Sequence, residues 1–387
     1  MIQNLYAARV ERRWDRLVNQ ETARQLLDGH ELRGGGTSEL FIDGERFLNF
    51  SGCNYLALTN NRELRDAAQQ ALDEGVGFSR YLVHAYGGID PYFDAVEKEA
   101  ATFFGTEAAV YLPSGYMIGA AGFAAAAPEY DVIFLDETAH WCLVDAAKLT
   151  ERPIRHFAHR SAKSLAEELE KLGPGQRPLV VTDGAFATLG ALPPLDEYAA
   201  LLRPLNGRLL VDESHSGGVV GQSGRGTVEH YGVEDIAHVG VTLSKAFCGQ
   251  GAVYVGTLEC VERARACTPV RGSNSGTPIS ANVCAAALRF VRANPSLCAK
   301  VRESAEYLRH RLRGIGLDVP ETPTSIVSFS HGDFADMRAI QERLFDKGIY
   351  VLHSNYIASG PGGIIRRRTN GCRVQAGARR PAGRCGG

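Results

Sequence analysis

The 387-residue sequence predicts an α/β fold, with a mostly parallel sheet in a large domain and a smaller α+β domain after it. Three observations point there. Short apolar runs recur between turn signals: EAAVYLPSG (107–115), YDVIFLDE (130–137), RPLVVTDGA (177–185), GRLLVDES (207–214), HVGVTLSK (238–245) and AVYVG (252–256). Helical patterns separate them, the order expected of parallel strands covered on both faces. After about residue 278 that rhythm gives way to ISANVCAAALRFVRAN and AKVRESAEYLRHRLRGI, and then to TSIVSFS and GIYVLHS, which read as strands of the smaller domain. We divide the chain into an arm (1–45), a large domain (46–277), a small domain (278–366) and an atypical tail (367–387).

Two helices are marked by their ends. Asp90 caps the first, Pro91 opens it, Phe93, Val96, Ala100 and Phe103 give it an apolar face, and Gly105 stops it. The second runs from Ser161 to Leu172 and stops at Gly173. Composition excludes several classes. With a net charge of −2 and no basic face in the first 360 residues, nucleic acid is not an expected partner. No apolar run reaches bilayer length, so no membrane contact is expected. The opening MIQNLYAARVERRWDRL lacks a signal-peptide core, which points to the cytoplasm. Nine cysteines, an odd number without a C-x-x-C pair, suit reduced thiols better than disulfides or a zinc site.

The chemistry is sought where strands end, because open α/β sheets gather ligands at their carboxyl edge. In GVTLSKAFCGQG (240–251), Lys245 follows an apolar strand run. It is either a surface charge on a turn or an amine in a crowded pocket, where a depressed pKa makes it nucleophilic. Asp212 and His215 close GRLLVDESH, His140 follows YDVIFLDETAH, and Ser114-Gly115 follow EAAVYLP. Singly, each has an ordinary role as a cap, a turn former or a core histidine. Together they bring an amine, a carboxylate and two imidazoles to one sheet edge. That inventory suits pyridoxal phosphate: an amine to hold it, a carboxylate to keep its ring nitrogen protonated, and a flat side chain to stack on it. Thr242 offers a hydroxyl, and the amides of Gly115, Tyr116 and Met117 stand where a strand turns into a helix, which suits a phosphate.

NYLAL (54–58), PSGY (113–116), DETAH (136–140), VDESHSGGVVGQSGRG (211–226) and TLSKAFCGQGA (242–252) resemble, in order and spacing, the α-oxoamine synthases. The likeness runs from about residue 30 to residue 366. It implies a fold-type I pyridoxal phosphate-dependent transferase, a homodimer that condenses an amino acid with an acyl thioester and releases carbon dioxide and coenzyme A. It further implies that Lys245 holds the cofactor and takes the substrate α-proton, that Asp212 pairs with the pyridinium nitrogen, that His140 stacks on the ring and that His215 bonds the ring hydroxyl. Asn54 and Arg366 resemble the pair that receives the amino acid carboxylate, for which arginine's fork is suited. Two other readings of the same residues stand beside this one: an aminotransferase or aldolase on the same fold, and a catalytically silent partner subunit.

The sequence also departs from the family pattern. GVGFSRYLVHAYGG (75–88) keeps Ser79 and Arg80, candidates for substrate binding, but adds Phe78, Tyr81 and Tyr86, which implies a changed pocket. In TDGAFATLG (182–190), Ala187 replaces a cofactor-bonding serine and Leu189 an acidic residue. RGSNSGTPIS (271–280) resembles the segment that reaches the partner subunit's phosphate, which makes Ser275 a candidate. After Arg366 the apolar pattern stops, and a run rich in Arg, Gly and Ala without acidic residues follows, as expected of a GC-rich gene read in the wrong frame.

Overall fold

The computed structural model describes residues 26–34, 38–78, 88–354 and 364–368, the last as backbone alone. It opens with an antiparallel sheet of β1 (Leu32–Gly34), β2 (Glu39–Ile42) and β3 (Glu45–Asn49). The β2–β3 hairpin turns on Asp43-Gly44, both at positive φ (50° and 86°), the two-residue connection that matches strand twist. Leu40, Ile42 and Phe47 are buried on one face, and the ring of Phe47 lies 4.5 Å from that of Phe345. β3 also pairs in parallel with Ile349–Tyr350, so this sheet straddles the division drawn at residue 45 and joins the start of the chain to its C-terminal part.

α1 (Arg62–Asp73) and α2 (Pro91–Phe104) follow. Asp90 caps α2 by accepting the amides of Tyr92 (3.0 Å) and Phe93 (3.4 Å), and Gly105 ends it at φ 70°, as the end signals predict. β4 (Ala108–Leu112), α3 (Ile118–Ala126), β5 (Val132–Asp136), α4 (Trp141–Leu149), β6 (Ile154–Phe157), α5 (Ala162–Leu169), β7 (Pro178–Asp183), α6 (Leu195–Leu202), β8 (Arg208–Asp212), α7 (Thr227–Tyr231), β9 (Ala237–Thr242) and β10 (Ala252–Gly256) build the central unit. Ser161 caps α5 as expected, but the helix ends at Leu169, three residues before the predicted stop, where the chain passes through turns to Gly173.

The strands form one seven-stranded sheet in the order β4-β10-β9-β8-β7-β5-β6. Only β10 runs against its neighbours. Every residue of β5 and β7 is buried, the signature of strands covered on both faces. β6 was not among the predicted strands, because Arg155 and His156 interrupt its apolar run at the sheet edge. The long helices α8 (Leu258–Ala266), α9 (Pro278–Ala293) and α10 (Ser296–Arg313) come next. α9 packs on α1 and α2, with Asn282 Nδ2 donating to Ala67 O (2.8 Å), and its Ala281, Cys284, Leu288 and Val291 share one core with Tyr55 and Phe93. The core of the large unit therefore continues past residue 278. β11 (Ile326–Phe329), α11 (Phe334–Phe345), β12 (Ile349–Tyr350), β13 (Leu352–Ser354) and β14 (Ile364–Arg368) complete the chain, β14 lying between β11 and β13. No described helix is long and apolar enough to cross a membrane.

Candidate active site

Because six strands point the same way, the ends of β4, β5, β7, β8 and β9 share one edge. Lys245 lies just past β9, half-buried, on a loop closed back on itself by Leu243 N to Gly251 O (2.8 Å) and Gly249 N to Leu243 O (2.9 Å). Its Nζ is 2.9 Å from His215 Nε2, and His215 Nδ1 is 2.6 Å from the hydroxyl of Tyr55. Tyr55 is fully buried and His215 nearly so. The amine is therefore half-buried and joined to a buried imidazole. Cys248, at φ 58°, makes the turn after it and donates its amide to Lys245 O (3.1 Å).

Asp212 ends β8 and Asp183 ends β7, directly opposite in register. Asp212 Oδ1 accepts the amide of Ser214 (3.0 Å), which folds the chain back toward His215. Asp183 Oδ2 accepts the amide of His140 (2.8 Å), which fixes the start of α4. Burial, and next the charge of Asp212, push the Asp183 carboxyl well above its ordinary value. Cys142 links the groups: its sulfur lies 3.0 Å from His140 Nδ1 and 3.5 Å from Asp212 Oδ2, and burial pushes its thiol far up. Behind Asp212, Glu213 accepts the amides of Thr227 (2.9 Å) and Val228 (2.7 Å), so the start of α7 is tied to the same turn.

The third part of the site is a close approach of backbone and hydroxyl. A Cβ on Gly115 would stand 2.9 Å from Thr242 Oγ1, so only glycine lets this turn come so near β9. Ser114 accepts the amide of Tyr116 (3.2 Å), Tyr116 donates to Asp145, and its ring lies 6.4 Å from that of His140 at 71°. Gly276 lies against Tyr111 and Pro113, just before this turn. Its neighbour Ser275 is 1% exposed, and its hydroxyl has no hydrogen-bond partner among the described residues. An orphaned buried hydroxyl beside a glycine turn, a buried carboxylate and a half-buried amine fit the phosphate, ring and aldehyde of pyridoxal phosphate in turn.

The structure thus brings together Lys245, His215, Asp212, His140, Gly115, Tyr116 and Thr242. Asn54 is buried, donates to Thr59 Oγ1 (2.5 Å) and accepts the amide of Leu58 (3.1 Å); Thr59 in turn lies 3.2 Å from Cys248 Sγ, which ties Asn54 to the lysine loop. Ser79 and Arg80 lie outside the described residues, as do Tyr81, Tyr86 and residues 369–387. Phe78, next to them, is largely exposed. Arg366 pairs through its backbone with Ser328 and Leu352, and the described strand continues two residues beyond it. Ala187 lies on a loop tied to the C-terminal strands through Leu189 O and Gly190 O, which accept from Ser328 (3.3 Å) and Thr324 (3.1 Å). The sequence reading overlooked Tyr55, Asp183 and Cys142. Asp183 ends a predicted strand and Cys142 lies two residues after His140, so position alone could have raised both; Tyr55 carries no such signal.

Residues 45–374 match the family described as aminotransferase class I and II. The 8-amino-7-oxononanoate synthase of Thermosipho melanesiensis is 30% identical over 82% of this chain and 81% of its own length. The serine palmitoyltransferase of Sphingomonas wittichii is 27% identical, with a TM-score of 0.82 over 94% of this chain and 92% of that one. A high-resolution structure of SPT with PLP is 26% identical, with a TM-score of 0.81 over 94% and 93%.

Proposed function

We propose, from the premise that this chain belongs to the aminotransferase class I and II family and within it to the α-oxoamine synthases, that it joins a small amino acid to an acyl-coenzyme A or acyl-carrier thioester, as an 8-amino-7-oxononanoate synthase-like enzyme. The contact between Lys245 Nζ and His215 Nε2, at 2.9 Å, carries the reading. It sets a basic nitrogen on a relay that ends at Tyr55, at the sheet edge that also holds Asp212. Pyridoxal phosphate, when bound, supplies an electron sink for the substrate α-carbon.

The chain's own residues then have distinct tasks. Lys245 holds the cofactor and moves the α-proton of the amino acid, with His215 holding the proton balance at Nε2. Asp212 would keep the ring nitrogen of the bound cofactor protonated, with Asp183 buried beside it in register. His140, steadied by Asp183 and Cys142, would stack on the ring of the bound cofactor. The Gly115 turn, Tyr116, Thr242 and Ser275 hold the phosphate. A homodimer, as the likeness to the α-oxoamine synthases implies, is part of the proposal. Asn54 and Arg366 receive the amino acid carboxylate, and Ser79 and Arg80 the rest of the substrate.

The test supplies a panel of small amino acids, each with acyl-coenzyme A of graded chain length, and measures carbon dioxide and free coenzyme A together. Equimolar release that requires both substrates, and is lost in Lys245→Ala, is expected. Amino-group transfer to a keto acid without carbon dioxide would refute the reading in favour of an aminotransferase.

A further inference from the structure

On the opposite edge of the same sheet, where β8 and β9 begin and β10 ends, a cleft of about 460 Å³ contains Cys260, His238 and Glu129. The sulfur, one ring nitrogen and one carboxylate oxygen of these residues lie within 4.8 Å of one another. We propose that Cys260 is a reactive thiol, activated by His238 and Glu129, that exchanges with small disulfides.

The cluster has the parts of an activated nucleophile: a thiol, an imidazole and a carboxylate. Glu129 Oε1 lies 3.5 Å from His238 Nε2, and His238 Nδ1 lies 2.7 Å from the hydroxyl of Tyr254. With Nδ1 facing the Tyr254 hydroxyl and Nε2 facing the Glu129 carboxylate, His238 can donate from both nitrogens as an imidazolium, whose charge favours a thiolate at Cys260. Cys260 is half-buried in the first turn of α8, where its amide donates to Thr257 Oγ1 (3.3 Å), so the positive end of the helix favours a thiolate. Arg263 Nη2 stands 3.1 Å from the sulfur. These contacts, the His238 hydrogen bond first, hold the thiol below its ordinary value. His238 is buried, which alone would lower its pKa, yet its bonds to Cys260 and Glu129 raise it. Cys267, the C-cap of the same helix, shows the contrast, since burial pushes its thiol up.

The guanidiniums distinguish this cluster from a metal site. Arg208 lies 2.6 Å from Glu129 Oε2 and Arg263 3.5 Å from Oε1, so a cation entering among the three ligands would meet two fixed positive charges. In the exchange, Cys260 gives its proton to His238 and its sulfur attacks one sulfur of the disulfide. A new S–S bond forms to that half as the old one breaks. The other half leaves as a thiolate and takes the proton from His238, so Cys260 is oxidised as the leaving half is reduced.

The test incubates the full-length holoenzyme with oxidised glutathione at neutral pH and follows each cysteine by peptide mass spectrometry. Cys260 is expected to acquire the glutathionyl group at least about tenfold faster than Cys267. His238→Asn and Glu129→Gln should each slow that adduct several-fold, whereas Cys260→Ser should abolish it and leave acyltransfer unchanged. Labelling of Cys260 no faster than Cys267, or an unchanged rate in whichever of the two variants folds, would overturn the proposal. So would stoichiometric zinc binding that protects Cys260, since the cluster would then be a metal site.

Discussion

Tyr55→Phe isolates the relay behind Lys245. Tyr55 is fully buried within the core shared by α1, α2 and α9, so phenylalanine fills the same space without a cavity. Only the hydroxyl is lost, and with it the 2.6 Å bond to His215 Nδ1. A bond to a buried polar group is worth about 1–3 kcal/mol, and 1.36 kcal/mol is tenfold in rate, so a loss of roughly tenfold or more is expected. The bond holds the imidazole that faces the amine rather than the substrate. The decrease should therefore fall on kcat and kcat/KM alike and leave the KM for the amino acid unchanged. Coenzyme A release, measured with a thiol reagent at saturating cofactor, reads both constants. Turnover within twofold of the parent at full cofactor loading, or a loss confined to KM, would refute the relay.

Three further outcomes follow from the same geometry. Asp212→Asn should keep cofactor bound to Lys245, seen by borohydride fixation, while turnover falls roughly 100-fold, the equivalent of a charge-assisted bond of about 3 kcal/mol; near-normal turnover would place the functional carboxylate elsewhere. Gly115→Ala drives a methyl to 2.9 Å from Thr242 Oγ1, which is itself tied to Gly251 O at 3.1 Å, so cofactor affinity measured by dialysis should drop about tenfold, and the further change Thr242→Gly should restore part of it. Glu213 is fully buried and its pKa is raised from 4.5 to about 7, first by burial. A raised carboxyl contributes stability that is present below the unfolded pKa and lost as pH rises through the folded one, so Glu213→Gln should remove roughly 3 kcal/mol of pH dependence between about 4.5 and 7, read as the difference between the two unfolding curves. Parallel curves over that window would show that Glu213 is ionised throughout.

Local chemistry determined much of this protein from the sequence alone. Apolar runs of strand length between turn residues identified six strands of the central sheet, because a strand buried on both faces needs no partner to announce itself. Asp90, Pro91 and Gly105 marked α2 because caps act within one turn of their own helix. Lys245, Asp212, His215 and His140 were legible because each stands within a few residues of a strand end, and parallel strands put those ends on one edge. The tertiary structure decided what depends on strand order and register. β10 returns from β9 through the lysine loop and so runs antiparallel, which no apolar pattern distinguishes from a parallel strand. Asp183 meets Asp212 only because β7 and β8 are neighbours in that register, and burial is what raises the Asp183 carboxyl above its ordinary value. Tyr55 reaches His215 across 160 residues of chain, and the Ser275 hydroxyl is buried with no hydrogen-bond partner among the described residues. Periodicity and capping act over a few residues; proton relays and orphaned hydroxyls arise between segments that only the packed core brings together.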